Sequence, residues 1–549
     1  MTADEILQRL GPTGSYQKRL IFIVLIFAFA NAWAPLSVIF THYEPNHHCK
    51  VNLTEEMKNK CNNTIPWVVD ENGVEVRSSC LMYNFTKSGD EDNCPGFELN
   101  KTVQCSEWIF ETEDDGGGTV VSEMGLVCDK DWVMPFIVSV MMVGRAIGLM
   151  VSGAISDRFG RRPIFLSSSF LLFLTVVGMA FSQNIYVYGV FLTLSGALSI
   201  VQYSVICVIG TEMVVPKYRN FVVLTVQCGY VLGYATLPLM AYLSQNWHVL
   251  LYIISVGSIV FAVGYWYFPE TLQWLICKGK IENAKTLVNE IAKHNKIDFE
   301  ERTETLIQKD ENEEAKLKED IYAGDSSVFA MLKNPVMRCR LIVTTFVWFV
   351  TSFVYYAITL NTSYLQGDRY INCLLAAILE IPSIALAYWM LNKVGRVKTS
   401  VFFFFASAIP CIAAPLLEQA SQTAISVMAI AGKTAISGAF YVIYIHTVEI
   451  APTLHRNLFM NVCSAFSNIG SILSPYAMFI GKTSTSQLVI YLLMGGLSAV
   501  AGILIMIFLP ETVGSPLPGT IQEAAEQKTL IQMSYCYRKR SERSKPRQR

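Results

Sequence analysis

The chain has 549 residues, of which 52% are apolar and 16% are charged. Soluble domains carry roughly 25% charged residues, so this composition excludes an ordinary soluble protein and predicts an all-α polytopic membrane protein within a lipid bilayer. The formal net charge is −1, and no nucleic-acid partner is expected.

Apolar runs of about 20 residues, the length that crosses a bilayer as an α-helix, recur along the whole chain. They lie at 20–40, 132–153, 163–182, 185–211, 219–243, 247–268, 338–360, 370–391, 398–417, 423–448, 457–480 and 486–509. The segment before the first run lacks the short charged region of a signal peptide, and no small-residue cleavage site follows the run. We therefore predict a cytoplasmic N-terminus, residues 1–19, followed by twelve transmembrane helices.

The segment 41–131 separates the first two predicted helices and has no counterpart in the second half of the chain. It contains six cysteines, Cys49, Cys61, Cys80, Cys94, Cys105 and Cys128, and four glycosylation sequons, at Asn52, Asn62, Asn84 and Asn100. Disulfides stabilise extracellular segments that are too small to form a core of their own. We predict a glycosylated extracellular insert with three bridges, whose pairing the sequence does not choose. A zinc site is disfavoured because no CxxC pair occurs.

Three short motifs occur twice in the same order and divide the chain into related halves. SDRFGRR at 156–162 corresponds loosely to LNKVGRV at 391–397, TEMVVPKYRN at 211–220 to VEIAPTLHRN at 448–457, and FPET at 268–271 to LPET at 509–512. A period of about 240 residues is too long for a solenoid and is typical of two homologous helix bundles. We predict an N-terminal six-helix half at 20–268 and a C-terminal six-helix half at 338–509, with a substrate site between them.

Residues 269–337 connect the halves and change to a charged composition with helical periodicity, as in IENAKTLVNEIAKHN and ERTETLIQKDENEEAKLKEDI. This pattern predicts a cytosolic linker with short amphipathic helices. A connector on the inner membrane surface is favoured over a dedicated regulatory module. Residues 510–549 form a cytoplasmic tail with a basic end, which either binds anionic lipid or stays solvated.

Basic residues concentrate in the short loops on one side of the predicted membrane, which is the pattern of cytoplasmic loops. The sequons, including one at Asn361 between the seventh and eighth helices, all fall on the opposite side, where glycosylation takes place. Both termini are therefore predicted to be cytoplasmic.

GAISDRFGRRP at 153–163 resembles the loop signature of the major facilitator superfamily. CDKDW at 128–132, LEIP at 379–382, PETVGSPLP at 510–518 and the two Glu-to-Arg-Asn loops narrow the resemblance to its organic cation, carnitine and organic anion carriers, over nearly the whole chain. FPETLQWL at 268–275 departs from the PESPRWL that is usual in this family. The resemblance implies the major facilitator fold, alternating access and a plasma-membrane location.

Charged residues at the predicted cytoplasmic helix ends are candidate gates. Gly153 and Gly160 permit a close helix approach and a tight turn, while Asp157 can accept hydrogen bonds from a helix N-terminus and pair with nearby arginines. The resemblance implies that the loop acids and arginines form a cytoplasmic gate that closes in the outward-facing state; anchoring of helix ends is the alternative. Ion pairs are expected between Glu212 and Arg219 and between Glu449 and Arg456. The full set is Asp157, Arg158, Arg161, Glu212, Arg219, Arg396, Glu449 and Arg456.

Ionisable residues inside the apolar runs are the strongest indication of a site, because such a group costs about 3 kcal/mol at the bilayer centre. Glu380 lies 12 residues before Asn392, which places it about 18 Å into the membrane. Pro382 frees a carbonyl on the preceding turn and can bend the helix toward a cavity. An acid at this position resembles the family's cation and carnitine carriers, so Glu380 is the first candidate for recognising a positive substrate group.

Lys433 shares a helix face with Ser437, Phe440 and Tyr444 by its spacing, so its charge is expected to face the bundle interior. A basic residue here also resembles the family. Two roles of Lys433 are equally supported. One is pairing with Glu380 or another acid, and the other is a part in substrate or ion coupling.

Arg145 and Asn468 lie at similar depth and bear on charge selectivity. The resemblance places Asn468 where cation carriers have an acid and where anion and carnitine carriers commonly have arginine, so this chain departs from both. The family usually has an apolar residue at the position of Arg145, whose neighbours Gly144 and Gly148 predict a tight helix contact. A buried Arg145 requires a carboxylate, either an internal acid, which is slightly favoured, or that of the substrate.

Aromatic and polar side chains complete the predicted substrate site: Trp33, Tyr203, Gln227, Trp348, Tyr355, Tyr356 and Phe440. Trp348 and Tyr355 share a helix face, and rings over a desolvated ammonium group contribute about 1–2 kcal/mol of cation–π attraction. Trp33, Trp348 and Tyr355 match aromatic cavity positions of the family. For the others, packing against neighbouring helices is the alternative.

An enzyme is not expected, since no Walker loop, dinucleotide glycine motif, nucleophile elbow or metal-ligand cluster occurs. No cofactor is predicted, and without an ATP site transport would run on substrate gradients, exchange, or coupling to Na⁺ or H⁺. We predict a secondary transporter of small organic cations or zwitterions, such as carnitine-like amines, in the plasma membrane. The alternatives are an organic anion exchanger that uses Arg145 and Lys433, and a receptor or sensor on the same fold.

Overall fold

The structure, a computed structural model, describes residues 3–51, 65–69, 75–85, 97–110, 118–260, 268–297, 328–417, 422–480, 484–514 and 518–529. Its α-helices are α1 (Ala3–Arg9), α2 (Ser15–Asn31), α3 (Trp33–Leu36), α4 (Val38–Thr41), α5 (Val120–Met124), α6 (Val133–Phe159), α7 (Arg161–Ala180), α8 (Ile185–Glu212), α9 (Pro216–Ser244), α10 (Trp247–Val260), α11 (Leu272–Cys277), α12 (Ile281–Asn295), α13 (Val328–Lys333), α14 (Pro335–Asn361), α15 (Arg369–Ile378), α16 (Glu380–Lys393), α17 (Arg396–Ala413), α18 (Gln422–Ile450), α19 (Arg456–Ile480), α20 (Ser484–Phe508) and α21 (Ile521–Glu526). The strands are β1 (His47–Cys49), β2 (Trp67–Val69), β3 (Glu75–Arg77), β4 (Leu81–Phe85), β5 (Phe97–Gln104) and β6 (Trp108–Phe110).

Ten helical segments of the described chain are long and apolar enough to cross a membrane. They are Ser15–Thr41, Cys128–Phe159, Arg161–Ala180, Ile185–Glu212, Pro216–Ser244, Pro335–Tyr364, Arg369–Lys393, Arg396–Leu416, Thr423–Ile450 and Val489–Phe508. Helices α10 and α19 occupy the two remaining predicted positions. The end of the predicted sixth helix, residues 261–267, lies outside the described residues.

Two of the predicted transmembrane helices are interrupted rather than continuous. The first is divided into α2, α3 and α4 at Ala32 and Ser37, next to Pro35, which has no amide to donate to the preceding turn. The eighth is divided into α15 and α16 at Leu379, three residues before Pro382. Proline thus explains why a single apolar run contains more than one helix.

The described part of the insert contains three two-stranded antiparallel sheets, β1 with β6, β2 with β3 and β4 with β5. Two disulfides, Cys49–Cys105 and Cys80–Cys128, link its strands to each other and to the start of the second span. The other two cysteines of the predicted bridges, Cys61 and Cys94, lie outside the described residues, as do the sequons at Asn52 and Asn62.

The remaining sequon residues lie in or next to the insert. Asn84 is half-buried in β4, and Asn100 is part of β5. Asn361 ends α14 and lines a cavity beneath the insert. Glycosylation at these positions stays a prediction.

The buried apolar side chains form separate clusters before and after the linker. One cluster contains residues from Met331 to Ala524 together with Val231. Two further clusters contain residues from Ile6 to Ala292, joined at one edge by a few side chains of α14 and α15. The two sets meet where α6 packs against α19 and α9 packs against α15, so these four helices border the space between the bundles.

The outer surface of the long helices is apolar. Phe22 is 63% exposed, Met150 67% and Leu243 72%. Contiguous apolar surface of this kind is unfavourable in water and suits contact with lipid chains.

The linker helix predicted over IENAKTLVNEIAKHN is present as α12. Its apolar face, which includes Leu287 and Ile291, belongs to the same cluster as Ile6 and Leu7 of α1. The second predicted linker segment, ERTETLIQKDENEEAKLKEDI, and the basic end of the tail lie outside the described residues.

Candidate substrate site and gates

An ion pair joins α16 and α18 near the middle of the bundle. The Lys433 ammonium lies 2.7 Å from the Glu380 carboxylate, and both side chains are at most 1% exposed. The ammonium also donates to the Ala376 carbonyl at 3.0 Å and to the Tyr234 hydroxyl at 3.4 Å. Tyr355 donates to Glu380 at 3.3 Å. Of the two alternatives for Lys433, pairing with an acid is therefore observed, and the Glu380 carboxylate is not free.

The helix break beside Pro382 supplies the third partner of Lys433. In a continuous helix the Ala376 carbonyl would accept from the amide of Glu380. Here the helix is interrupted at Leu379, and the Ala376 carbonyl accepts from Lys433. The missing amide of Pro382 would free the Ile378 carbonyl, four residues earlier, so the backbone acceptor in the ion-pair site results from the helix interruption at Leu379 and is not the carbonyl expected from Pro382.

Tyr355 contacts the ion pair and belongs to a group of five rings from α14 and α18 that pack against one another. We call them the aromatic wall: Trp348, Tyr355, Tyr356, Phe440 and Tyr444. Trp348 contacts Phe440 and Tyr444, with ring centroids 6.2 and 5.7 Å apart. Tyr355 contacts Phe440 at 5.9 Å and Tyr356 at 5.2 Å, the latter edge to face. These arrangements orient the rings at an angle to one another, as aromatic pairs prefer.

Hydrogen bonds orient the aromatic wall. The Trp348 indole donates to the Thr447 hydroxyl at 2.9 Å, and Thr447 in turn donates to the Ile443 carbonyl. Trp348 is buried, whereas Tyr355, Tyr356 and Phe440 are half-buried and Tyr444 is 48% exposed. The ring faces are therefore partly accessible, although the residues lie inside the bundle.

Polar and aromatic residues of the first bundle face the aromatic wall. The Tyr203 hydroxyl donates to Gln227 at 3.2 Å, and its ring contacts that of Tyr230 at 5.7 Å. Tyr203 also interacts electrostatically with Tyr356 and Tyr444. The structure thus joins Tyr203 to Gln227 within the first bundle, and a role of both residues in substrate binding stays a prediction.

Trp33 is the most peripheral of the predicted aromatic residues. Its indole donates to Thr236 at 3.1 Å, and its ring contacts Phe29. A Cβ atom at Gly257 would lie 2.5 Å from the Trp33 ring, so the ring packs closely against α10. All these contacts are within the first bundle, and a role of Trp33 in substrate binding stays a prediction.

Arg145 is half-buried on α6, and its stem lies over Gly196 of α8, where a Cβ atom would be 3.3 Å from its Cγ. The guanidinium interacts with the hydroxyl groups of Tyr230 and Tyr356. Among the described residues it forms no ion pair, so the favoured prediction of an internal acid as its partner is wrong for this part of the chain. Asn468 is half-buried on α19, and its role stays a prediction.

The tight helix contact predicted beside Arg145 is present. A Cβ atom at Gly144 would lie 2.5 Å from the Thr193 carbonyl, and one at Gly148 would lie 2.5 Å from the Ala197 carbonyl. Such distances require glycine. At Gly153 the predicted close approach is wrong, because an added Cβ atom would meet nothing within 4 Å.

The charged loops lie at the end of the bundle opposite to the insert, and we call these ends the motif end and the insert end. In the first bundle Arg161 pairs with Asp157 at 2.8 Å and with Glu212 at 2.9 Å. The Glu270 carboxylate accepts from the backbone amides of Arg161 and Arg162 at 2.8 and 3.3 Å. Glu270 therefore caps α7, and the prediction that Asp157 does so is wrong.

The second bundle repeats this arrangement. Arg396 forms a bidentate pair with Glu449, through Nη2 at 2.8 Å and Nε at 2.9 Å. Glu511 accepts from the backbone amides of Arg396 and Val397 at 2.8 and 3.1 Å. The glycines before both caps, Gly160 and Gly395, have φ values of 105° and 115°, a conformation that favours glycine.

The expected ion pairs within each Glu-to-Arg-Asn loop are wrong for this conformation. Arg219 pairs instead with Asp4 of α1 at 2.6 Å, and Arg456 donates to the Thr453 hydroxyl at 3.3 Å. Glu212 pairs instead with Arg161, which begins α7, and Glu449 pairs with Arg396, which begins α17. Arg158 lies over the ring of Phe159. In both bundles the loop acid therefore binds an arginine that is distant in sequence rather than the arginine of its own loop.

At the insert end the two bundles are in direct contact. The Ser139 hydroxyl of α6 donates to the Ile472 carbonyl of α19 at 2.8 Å. The Phe40 and Tyr370 rings are stacked 5.5 Å apart, and Arg369 lies over the ring of Tyr43 at 4.6 Å. By contrast, each ion pair that we describe at the motif end lies within one bundle.

His42 follows the first span at this closed end. Its Nε2 lies 2.9 Å from the Tyr188 hydroxyl, and its backbone carbonyl accepts from Tyr364 at 3.4 Å. Burial lowers the pKa of His42 to about 3, so its ring is neutral. Next to it a cavity of about 830 Å³ lies between the insert and the helix ends, lined by residues that include His42, Glu44, His47, Asp131, Asn361 and Tyr364.

Sequence reasoning missed four residues of these sites. Tyr230 and Tyr234 lie three and seven positions after Gln227, which is the spacing of one helix face and would have identified them. Glu270 and Glu511 occur in the repeated PET motif, but the capping role was not apparent because the amides that they accept from are more than 100 residues away in sequence.

Comparison with known proteins gives consistent matches over most of the chain. The model of the family described as "Sugar (and other) transporter" matches residues 81–523. Human organic cation/carnitine transporter 2 is 31% identical over 551 residues, covering 96% of this chain and 94% of that protein. The organic cation transporter protein of Drosophila melanogaster is 29% identical, with 95% and 94% covered, and mouse solute carrier family 22 member 3 is 26% identical, with 98% of each covered.

Solved structures with a similar fold include the proton:xylose symporter XylE bound to 6-bromo-6-deoxy-D-glucose, with a TM-score of 0.59 and 15% identity over 93% of this chain and 98% of that one. A partially occluded inward-open form of XylE from E. coli gives a TM-score of 0.61 and 14% identity, over 92% and 100% of the two chains. At this identity the likeness shows the fold alone. It is the fold of two six-helix halves that the sequence predicted.

Proposed function

This chain belongs to the sugar (and other) transporter family, within the organic cation, carnitine and organic anion carriers of the major facilitator superfamily, and from this we propose that it carries small organic cations or zwitterions across the plasma membrane by alternating access. It is a secondary transporter and not an enzyme. Relatives named organic cation/carnitine transporter support this substrate class.

One observation carries the proposal: the partly accessible rings of the aromatic wall adjoin the first bundle through Lys433, whose ammonium lies 5.7 Å from the centroid of the Tyr355 ring and 4.3 Å from that of Tyr234. Ring faces attract a quaternary ammonium or a flat amine, by about 2 kcal/mol when both are desolvated. Because the residues come from both bundles, a bound substrate is released when the bundles tilt apart. A site of this kind accepts amines of varied shape.

Closure at the insert end supports alternating access. Opening that end requires the Ser139–Ile472 hydrogen bond and the Phe40–Tyr370 stack to separate. At the motif end the Arg161–Glu212 and Arg396–Glu449 pairs stabilise each bundle without joining them. We infer that this conformation is open at the motif end, and that Arg161, Arg396 and their partners exchange contacts across the bundles when that end closes.

The proposal places the motif end in the cytoplasm and the insert outside the cell. Basic loop residues and the helix-capping acids lie at one end, while the disulfides Cys49–Cys105 and Cys80–Cys128 lie at the other. Disulfides persist in an oxidising compartment, and basic loops are retained on the cytoplasmic side. Both termini are then cytoplasmic.

Flux measurements on the purified protein test this function. Proteoliposomes would be supplied with labelled carnitine, tetraethylammonium or an aromatic carboxylate, with and without gradients of sodium and protons. We expect saturable uptake of at least one amine. Uptake of the aromatic carboxylate alone would indicate the organic anion exchanger, and saturable binding of an amine without flux would indicate a receptor or sensor. Dependence on either gradient identifies the coupling ion.

A further inference from the structure

Arg145 is the one ionised side chain in the middle of the described bundle that has no opposite charge beside it. Among the described residues it forms no ion pair, whereas the deep acid Glu380 is already neutralised by Lys433 at 2.7 Å. The apolar runs contain no other acid at this depth. Within the described residues the centre of the bundle therefore has one uncompensated positive charge, and an ionised group at this depth is costly unless it is used.

The backbone around Arg145 holds its stem in a fixed place. Gly144 and Gly148 let α6 approach carbonyls of α8 so closely that an added Cβ atom would lie 2.5 Å from each. The Cγ atom of Arg145 lies over Gly196 of α8, where an added Cβ atom would be 3.3 Å away. The Arg145 stem thus packs against α8, whereas the tyrosines that interact with its guanidinium belong to other helices.

Hydroxyl groups rather than carboxylates surround the guanidinium. Tyr230 of α9 and Tyr356 of α14 interact with it, and Tyr355 lies beside them. A tyrosine hydroxyl accepts a hydrogen bond from arginine and still has a proton to donate. The guanidinium fork and two hydroxyls together offer the donors that a planar carboxylate accepts. Arg145, Tyr230 and Tyr356 are all half-buried, so a ligand has access to this side of the group.

Tyr355 connects this group to the aromatic wall. It is a neighbour of Arg145, and its ring lies 5.9 Å from that of Phe440. A molecule with an ammonium on the rings and a carboxylate on Arg145 therefore needs to be only a few bonds long. A cation without a carboxylate would leave Arg145 unpaired and would be repelled by it.

We propose that Arg145, Tyr230 and Tyr356 form a carboxylate subsite that makes the carrier select zwitterions over simple cations. This rests on the proposed function and names the substrate class within it. Lys433 has no part in the subsite, because Glu380 and the Ala376 carbonyl already occupy its ammonium. Specificity follows from one residue at a position where a resemblance to the family predicts an apolar side chain.

A matched pair of ligands tests the subsite. Carnitine and its methyl ester have nearly the same shape and the same ammonium, but only carnitine has a carboxylate. Uptake efficiency of both would be measured in proteoliposomes for the full-length wild type, Arg145→Gln, and the exposed control Arg338→Gln. We expect wild type and the control to prefer carnitine, and Arg145→Gln to lose on the order of 10- to 100-fold for carnitine, the usual effect of a charged hydrogen bond, with little change for the ester.

Two conservative variants serve as controls for folding. Arg145→Lys keeps the charge, and Tyr356→Phe keeps the ring. Both should retain part of the preference for carnitine. The proposal is overturned if folded Arg145 variants lose the two ligands equally, since that indicates a structural arginine, or if wild type prefers the ester. Ligand-induced increase of the melting temperature, measured on the same variants in detergent, reports the subsite independently of flux. If wild type shows no flux but carnitine still stabilises it more than the ester does, and Arg145→Gln removes that difference, the transport function fails and the subsite stands.

Discussion

Lys433 and Glu380 are paired at 2.7 Å with both side chains at most 1% exposed, and removing one partner alone leaves the other buried and unpaired. Glu380→Gln and Lys433→Gln should each lower the free energy of unfolding by about 3–5 kcal/mol, the usual cost of an uncompensated buried charge. Thermal denaturation of the purified protein in detergent measures this.

The double variant Glu380→Gln/Lys433→Gln decides whether the effect comes from the pair. It removes both charges, so it should be more stable than either single variant, and the cycle gives the coupling between them. Additive losses would contradict a direct ion pair.

If Glu380 binds the ammonium of the substrate, the double variant should also lose amine uptake. Unchanged uptake kinetics would remove Glu380 from the substrate site.

The helix positions and the interior location of the candidate ionisable side chains were largely predictable, because both depend on local patterns. Apolar length identifies a span, and an ionisable residue such as Glu380 or Arg145 within a span identifies the bundle interior. Partners were less predictable. Arg161 and Glu212 are 51 residues apart in sequence, and nothing in the local pattern pairs Glu212 with Arg161 rather than with Arg219.

The break in the eighth helix shows the same limit. Pro382 predicted that the Ile378 carbonyl, four residues earlier, would be free, whereas the carbonyl in the ion-pair site is that of Ala376. Only the packed structure places the Lys433 ammonium on the Ala376 carbonyl. Likewise, the sequence could require a partner for Arg145, but could not decide between an acid and the hydroxyls of Tyr230 and Tyr356.

The capping acids should have equivalent roles in the two halves. Glu270 and Glu511 each accept from two backbone amides at the start of a helix. Loss of such a cap costs about 0.5–2 kcal/mol, so Glu270→Ala and Glu511→Ala should lower the melting temperature by similar amounts. Glu282→Ala is the control, because Glu282 is 88% exposed. A large effect in one half and none in the other would contradict the symmetry of the two caps.

Trp348 should contribute to amine binding through its ring. Its indole is held by Thr447 at 2.9 Å and contacts Phe440 and Tyr444. We expect Trp348→Leu to raise KM for an ammonium substrate by about 5- to 30-fold, corresponding to a cation–π contribution of about 1–2 kcal/mol. Trp348→Phe keeps a ring and should give a smaller increase. Initial rates of uptake measure both, and equal effects of the two substitutions would show that the ring face is not used.

His42 should make the protein less stable in acid. Burial lowers the pKa of His42 to about 3, while the pKa of an exposed histidine is about 6.5. Its Nδ1 has no hydrogen-bond partner among the described residues, so a proton there would be unsatisfied in the folded protein. Between these two pKa values the unfolded chain binds a proton that the folded chain excludes. The free energy of unfolding therefore falls by about 1.4 kcal/mol for each pH unit below 6.5, and does not change with this group above pH 7.

Melting temperatures of wild type, His42→Gln and the exposed control His294→Gln, measured from pH 8 to pH 5, test this effect. Glutamine can keep a hydrogen bond to Tyr188 and does not titrate, so His42→Gln should lose part of the decrease below pH 6.5, while His294→Gln should behave as wild type. Because His42 lies where the bundles meet at the insert end, its protonation is also expected to favour opening of that end, where the ring gains water. Identical pH profiles for wild type and His42→Gln would show that this histidine is not buried and neutral.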